Sequence, residues 1–172
     1  KHKLFFIIDS AQTAGFLDID INKLNADAIG FTGHKSLLGP QGIGGFIVND
    51  RMNNQMTSFM EGGTGSLSDT EKQPDYMPDK FEAGTLNIPG IFGLNSSLKY
   101  ILNYGVNNIR EREIFLMDRF LEGLNNINNI ELIGKDTSKN RTGIFSIDFI
   151  NMDNGLVSYE LCKEYGIMTR SG

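Results

Sequence analysis

Hydrophobic and polar positions fall into blocks along the first fifty residues. Leu4-Phe5-Phe6-Ile7-Ile8 is a continuous apolar run that ends on Asp9. Two more follow, Ala28-Ile29-Gly30-Phe31-Thr32 and Ile43-Gly44-Gly45-Phe46-Ile47-Val48. Short, nearly continuous apolar runs bounded by turn residues predict strands of a sheet covered on both faces. A polar-punctuated stretch, Asp18-Ile19-Asp20-Ile21-Asn22-Lys23-Leu24, separates the first two, and a glycine-rich turn separates the second and third. Residues 49–89 carry loop signals, with Gly62-Gly63-Thr64-Gly65-Ser66 and a run holding Pro74 and Pro78. A loop this long inside a compact domain tends to be functional.

Near residue 91 the period changes. Ile91, Phe92, Leu94, Leu98, Ile101 and Leu102 recur at helical spacing. Ile109, Phe115, Leu116, Phe120 and Leu121 do so again, with Arg110, Glu111, Arg112 and Glu113 on the exposed face. Residues 130–134 predict a strand, 135–141 a polar hairpin-like connection, and 143–149 a half-buried alternating strand. Residues 157–165 predict a short helix capped by Gly166, and 167–169 return as a strand. The pattern is α/β, with a boundary near residue 95: residues 1–95 form one part and 96–172 a smaller α+β unit.

Composition narrows the function classes. With 172 residues and 40% apolar content the chain can bury a core. Its net charge of -5, with scattered lysines and arginines, argues against a nucleic-acid partner or an anionic membrane surface. No apolar stretch approaches the ~18 residues that span a bilayer. The single cysteine, Cys162, excludes an intramolecular disulfide framework and fits a reducing cytoplasm. The chain opens without Met, two residues before an apolar strand, and stops just past another apolar run. It reads as a piece of a longer polypeptide.

Candidate chemistry sits at two strand ends. The first strand delivers the carboxylate of Asp9, and the second delivers Lys35 within Gly33-His34-Lys35-Ser36-Leu37-Leu38-Gly39-Pro40-Gln41-Gly42. An acid and an amine at neighbouring strand ends suit pyridoxal 5'-phosphate: the amine forms a Schiff base with the aldehyde, and the acid keeps the pyridine nitrogen protonated. The segment also resembles the end of a nucleotide P-loop. However, His34 stands where that loop needs a glycine for close backbone approach to phosphate, and the earlier glycine is missing too. A Ser-His-Asp hydrolase built from Ser36, His34 and Asp9 lacks the strained nucleophile elbow. Two histidines far apart and one cysteine give no metal-ligand spacing.

Gly33-His34-Lys35 followed by Gly39-Pro40-Gln41-Gly42 resembles the cofactor-lysine turn of class V aminotransferases, in the branch of cysteine desulfurases and selenocysteine lyases. Asp9-Ser10-Ala11-Gln12 is similar to that family's Asp-x-x-Gln element. Phe81-Glu82-Ala83-Gly84-Thr85-Leu86-Asn87 is similar to its Phe-Glu-x-Gly-Thr-x-Asn element. The three motifs occur in family order over about half the chain. The resemblance implies part of a fold-type I pyridoxal-phosphate transferase. Residues 1–95 would be the later part of a cofactor domain with a mostly parallel sheet, and 96–172 the start of a small C-terminal domain.

The resemblance also implies roles. Lys35 would carry the cofactor and move the substrate's α-proton, and Asp9 would face the pyridine nitrogen. Gln12 would donate to the cofactor's phenolic oxygen, while Thr32 and His34 would contact its phosphate; His34 also reads as an ordinary turn histidine. Thr85 would reach the phosphate of a neighbouring subunit's cofactor, making the working unit at least a homodimer. Gly62-Gly63-Thr64 reads either as a loop lining the same site or as a linker. Arg170 would lie near the carboxylate of a small amino-acid substrate. Cys162, in a helical stretch, is not placed as the family's sulfur-accepting nucleophile, which follows the Arg-x-Gly pattern. The implied activity is conversion of L-cysteine to L-alanine, with sulfur passed on, in some family members to an acceptor protein. Alternatives are a class V transaminase, a selenocysteine lyase, or an inactive isolated fragment.

Overall fold

The computed structural model describes residues 2–67 and 69–172. Chain contacts group into two units, Lys1–Asn108 and Ile109–Gly172. Residue 95 lies within the helix Ile88–Tyr104.

The first unit is organised on three strands, β1 (Ile7–Asp9), β2 (Ala28–Thr32) and β3 (Gly44–Val48), in the order β1-β2-β3. β1 and β2 are parallel, with Asp9 opposite Gly30. Their crossover carries the four-residue helix α1 (Ile21–Leu24), which starts on an Asp20 N-cap and ends on Asn25 in the left-handed conformation. β2 and β3 are antiparallel, with Thr32 opposite Gly44. A parallel return needs a crossover of a dozen or more residues, usually helical; the short turn after Thr32 has none, so β3 comes back antiparallel.

The sheet is less covered than the apolar runs predict. Ala28 and Ile29 of β2 are buried, but Ile7 is 59% exposed and Ile47 53% exposed. β1 and β3 are the edges of a three-stranded sheet. The predicted strand over residues 4–8 also starts later, at Ile7. Upstream of Ile7 side chains add to the backbone bond from the Asp27 N–H to Phe6 O at 2.7 Å. Asp27 accepts the Phe6 N–H through Oδ2 at 2.9 Å, and Arg51 Nη2 donates to the carbonyls of Lys3 and Leu4 at 2.9 and 3.2 Å.

Beyond β3, Asn49 caps α2 (Asp50–Asn53). The loop-rich stretch then runs to a 3₁₀ turn, Asp79–Phe81, where Lys80 is buried and donates to the Asn53 carbonyl at 3.0 Å. Asn87, with Pro89 in the first helical turn, starts α3 (Ile88–Tyr104). This is the expected use of Asn as a cap and of Pro where its missing N–H costs nothing.

The unit boundary falls inside α4 (Val106–Leu124). In the second unit, β4 (Ile130–Ile133) and β5 (Ser146–Phe149) pair antiparallel. The Phe120 and Phe145 rings pack at a tilt, 4.4 Å between centroids and 41° between planes. An Asp153 cap opens α5 (Asn154–Tyr165), which closes on Gly166 at φ 66°, as the sequence predicts. Residues 167–169 form no strand. They are tied to α5 instead, by the Ile167 N–H to Leu161 O at 3.0 Å and Thr169 Oγ1 to Ser158 Oγ at 2.8 Å. No helix among the described residues is long and apolar enough to cross a membrane.

The buried carboxylate of Asp27 fastens the start of β2. It accepts from Asn49 Nδ2 at 3.0 Å and from Arg51 Nη1 at 2.8 and 2.9 Å, besides the Phe6 N–H. The Asn49 hydrogen bond, then the Phe6 N–H and Arg51, hold its pKa below the usual 3.8 against the opposing effect of burial. A depressed carboxylate contributes stability above its unfolded pKa and loses it as pH falls through the folded value. The wild-type thermal midpoint is therefore expected to fall below pH about 4. Asp27→Asn should melt several degrees lower at neutral pH and lack this part of the acid loss, as read by circular-dichroism melts across pH. Equal midpoints at neutral pH would contradict the assignment.

Candidate functional site

The C-terminal edge of β1 and β2 gathers most of the chemistry-bearing residues. Asp9 is opposite Gly30, and Thr32 follows two residues later. Side chains alternate along a strand and paired positions share a face, so Asp9, Gly30 and Thr32 line one face of the sheet. A Cβ built on Gly30 would meet no heavy atom within 4 Å. Gly30 therefore leaves an open shelf between the carboxylate and the threonine.

Ser10 anchors the loop beyond Asp9. It is 1% exposed. Its N–H donates to Gly30 O at 2.8 Å, and its hydroxyl donates to the same oxygen at 2.7 Å. Its carbonyl accepts the Thr13 and Ala14 N–H groups, both at 2.9 Å, which curls the loop and leaves Gln12 exposed. Asp9 Oδ1 accepts the Ala11 N–H at 2.9 Å, an Asx-type turn that fixes the carboxylate and leaves Oδ2 for another donor. Gly15, at φ 111°, ends the loop against the lysine turn: a Cβ there would stand 2.2 Å from Ser36 O.

The lysine turn is closed at its base and in its middle. The Gly33 N–H donates to Ile43 O at 2.9 Å, the Gly39 N–H to Gly33 O at 2.7 Å, and the Leu38 N–H to Lys35 O at 2.9 Å. Leu37 is buried, while His34 and Lys35 are exposed. Thr32 Oγ1 and His34 Nδ1 share a hydrogen bond of 2.9 Å, joining hydroxyl and imidazole into one polar unit at the end of β2.

The start of α3 grips the other side of this turn. Asn87 Nδ2 donates to Gly42 O at 3.1 Å while its Oδ1 accepts the Gly90 N–H at 3.0 Å. A Cβ on Gly93 would sit 2.8 Å from Pro40 Cγ, and one on Gly39 would sit 3.1 Å from Leu94 Cδ1. The glycine-rich loop is attached to the same region. Gly62 O accepts the Gly84 N–H at 2.8 Å, and the Gly62 N–H donates to Gln73 Oε1 at 2.9 Å. Gly62-Gly63-Thr64 is thus bonded to the segment bearing Thr85.

Asp9, Gln12, Thr32, His34, Lys35 and Thr85 all belong to the first unit, and all but the half-buried Thr32 are exposed. Arg170 is exposed in the second unit, beyond α5, and Cys162 is exposed on α5. The roles of Ser10, Gly15 and Asn87 were not singled out from the sequence. Asn87 was legible as a cap, because Asn before Ile-Pro-Gly is a helix-start signal. Nothing local marks a serine or glycine whose partner lies 20 or more positions away.

Comparison with known proteins gives a consistent likeness. The family model described as Aminotransferase class-V matches residues 1–172. A probable cysteine desulfurase of Pyrococcus abyssi is 35% identical over 170 residues, covering 97% of this chain and 42% of its own length. The solved apo cysteine desulfurase of Thermococcus onnurineus NA1 superposes with a TM-score of 0.84 at 30% identity, over 98% of this chain and 42% of that one. A cystine C-S lyase, solved with its reaction product cysteine persulfide, gives 0.77 at 25% identity over 94% and 43%. The chain thus spans about 42% of the length of the cysteine desulfurase relatives.

The close approach of Gly15 to Ser36 predicts a contrast between two glycines. Gly15→Ala forces a backbone shift and a strained φ, and is expected to cost about 2 kcal/mol of unfolding free energy or more. Gly30→Ala meets open space and is expected to stay within about 0.5 kcal/mol of the wild type. Urea unfolding midpoints compare the two directly.

Proposed function

The chain belongs to the class V aminotransferase family, and we propose from that premise that the complete protein is a pyridoxal 5'-phosphate-dependent cysteine desulfurase. It converts L-cysteine to L-alanine with transfer of the sulfur. The observation that carries this reading is the seating of the Asp9 loop directly on the Lys35 turn, through Gly15 and Ser36, beside the open shelf at Gly30. That donor set fits the cofactor: a carboxylate with one oxygen still available, an amine, a hydroxyl–imidazole pair, and room where a Cβ would otherwise intrude.

The cofactor, when bound, supplies an electron sink for charge developing at the substrate's α-carbon. The chain's residues supply the rest. Lys35 Nζ holds the cofactor and moves the α-proton. The Asp9 carboxylate keeps a proton on the pyridine nitrogen, and the Ala11 N–H keeps that carboxylate oriented. Gln12 donates to the phenolic oxygen, and Thr32 with His34 receives the phosphate. Thr85 serves the cofactor of a second subunit in a homodimer, with the Gly62-Gly63-Thr64 loop lining the same wall. Arg170 meets the substrate carboxylate through its guanidinium fork. Residues 1–95 act as the later part of the cofactor domain and 96–172 as the start of the small domain. The protein works in the cytoplasm and hands sulfur to an acceptor protein.

A second reading, a carbon–sulfur lyase without an acceptor protein, is favoured by the likeness to the cystine C-S lyase. The 172 residues alone do not turn over: Lys35 and His34 stand exposed, and the chemistry needs a site from which water is excluded.

The complete protein, incubated with cofactor and reduced with borohydride, is expected to carry the cofactor on the peptide containing Lys35. Lys35→Ala loses both this label and the visible absorbance band, and a band that persists in the variant would sink the assignment. Asp9→Ala is expected to lower alanine release from cysteine by about a hundredfold or more while the protein stays folded. Pyruvate and ammonia formed with sulfide, in place of alanine, would favour the lyase reading.

A further inference from the structure

Asn87 lies at the end of the Phe81-to-Asn87 motif, and its side chain makes two bonds in different directions. Oδ1 accepts the Gly90 N–H at 3.0 Å, capping α3, and Nδ2 donates to Gly42 O at 3.1 Å, at the far end of the lysine run. The surroundings leave it little freedom. A Cβ on Gly90 would stand 2.4 Å from Asn87 Nδ2, and one on Gly42, itself at φ 76°, would stand 3.6 Å from the same atom. Two residues before Asn87 is Thr85, and just before that Gly84 is bonded to Gly62 at 2.8 Å.

We propose that Asn87 is a positioning residue that couples the Lys35 turn to the Gly84–Thr85 segment. One side chain then sets the placement both of the amine a subunit uses itself and of the threonine it lends to its neighbour. A cap alone would need only Oδ1. The second bond spends the amide's donor on a carbonyl of another segment, 45 positions away in sequence. Alongside it, Gly93 meets Pro40 and Leu94 meets Gly39, so α3 and the turn are held together by packing as well as by this bond. The cofactor consequences rest on the proposed function; the tether itself does not.

Two variants separate the bonds. Asn87→Asp keeps the cap, since Asp caps about as well as Asn, but turns a carboxylate oxygen toward the Gly42 carbonyl. Asn87→Ser keeps the cap and is too short to reach Gly42. In the complete protein without cofactor, both are expected to exchange backbone amides faster across residues 33–42 while the amides of α3 stay protected and the thermal midpoint falls by only a few degrees. With cofactor, both are expected to bind it about tenfold more weakly, because the turn carrying Lys35 must then be ordered on binding. The circular-dichroism signal of the bound chromophore should also weaken, because the ring is less firmly fixed.

Unchanged exchange across residues 33–42 overturns the proposal, whatever the cofactor does. Faster exchange with wild-type affinity and chromophore signal overturns the coupling to the site. A wild-type protein that binds no cofactor overturns the proposed function instead, and the exchange result then decides the tether by itself.

Discussion

A backbone oxygen, Ser36 O, occupies the space in which residue 15 would carry a side chain. Only glycine allows the Asp9 loop to close onto the Lys35 turn at that distance, and the rest of the candidate site follows from this contact. Ser10 holds the near end of the loop to Gly30 through two hydrogen bonds, and Gly15 holds the far end to Ser36. The carboxylate and the amine are thereby placed by backbone contacts rather than by a direct bond between them. Such an arrangement leaves both groups available for a third molecule.

The lysine turn is held from two directions. Residues 10–15 press on it from one side. Asn87, Gly93 and Leu94 of the α3 region press from the other, with Leu37 buried inside. A short turn fixed at so many points loses little further freedom on binding, which is how a scaffold places a reactive group within the tolerance that chemistry demands. The Asp27 cluster does similar work at the opposite end of β2, where Arg51 holds the carbonyls of Lys3 and Leu4 and the Asp27 carboxylate holds the Phe6 N–H.

Elements whose signal is local were legible in the sequence. β2 and the two long helices follow their apolar patterns, and Gly166 ends α5 because a left-handed residue was needed there. The motifs at Asp9, Lys35 and Thr85 were legible as a set through their resemblance, in order, to the motifs of one family. Features fixed by distant partners were not. The exposure of β1 and β3 depends on how many strands flank them, and the absence of a strand at 167–169 depends on whether a partner strand exists. The grip of Gly15 on Ser36 joins positions 21 apart, and no spacing rule anticipates it. The attachment of the Gly62-Gly63-Thr64 loop is likewise hidden, because its bonds to Gln73 and Gly84 join positions 11 and 22 apart.

The proposed reaction requires that Asp9 and Lys35 face one pyridoxal 5'-phosphate ring in the complete protein. A crystal structure of that protein grown with the cofactor tests it most directly. Continuous density from Lys35 Nζ to the cofactor is expected, with the Asp9 carboxylate within hydrogen-bonding distance of the pyridine nitrogen. A cofactor joined to another lysine, or seated with its ring nitrogen away from Asp9, would contradict it.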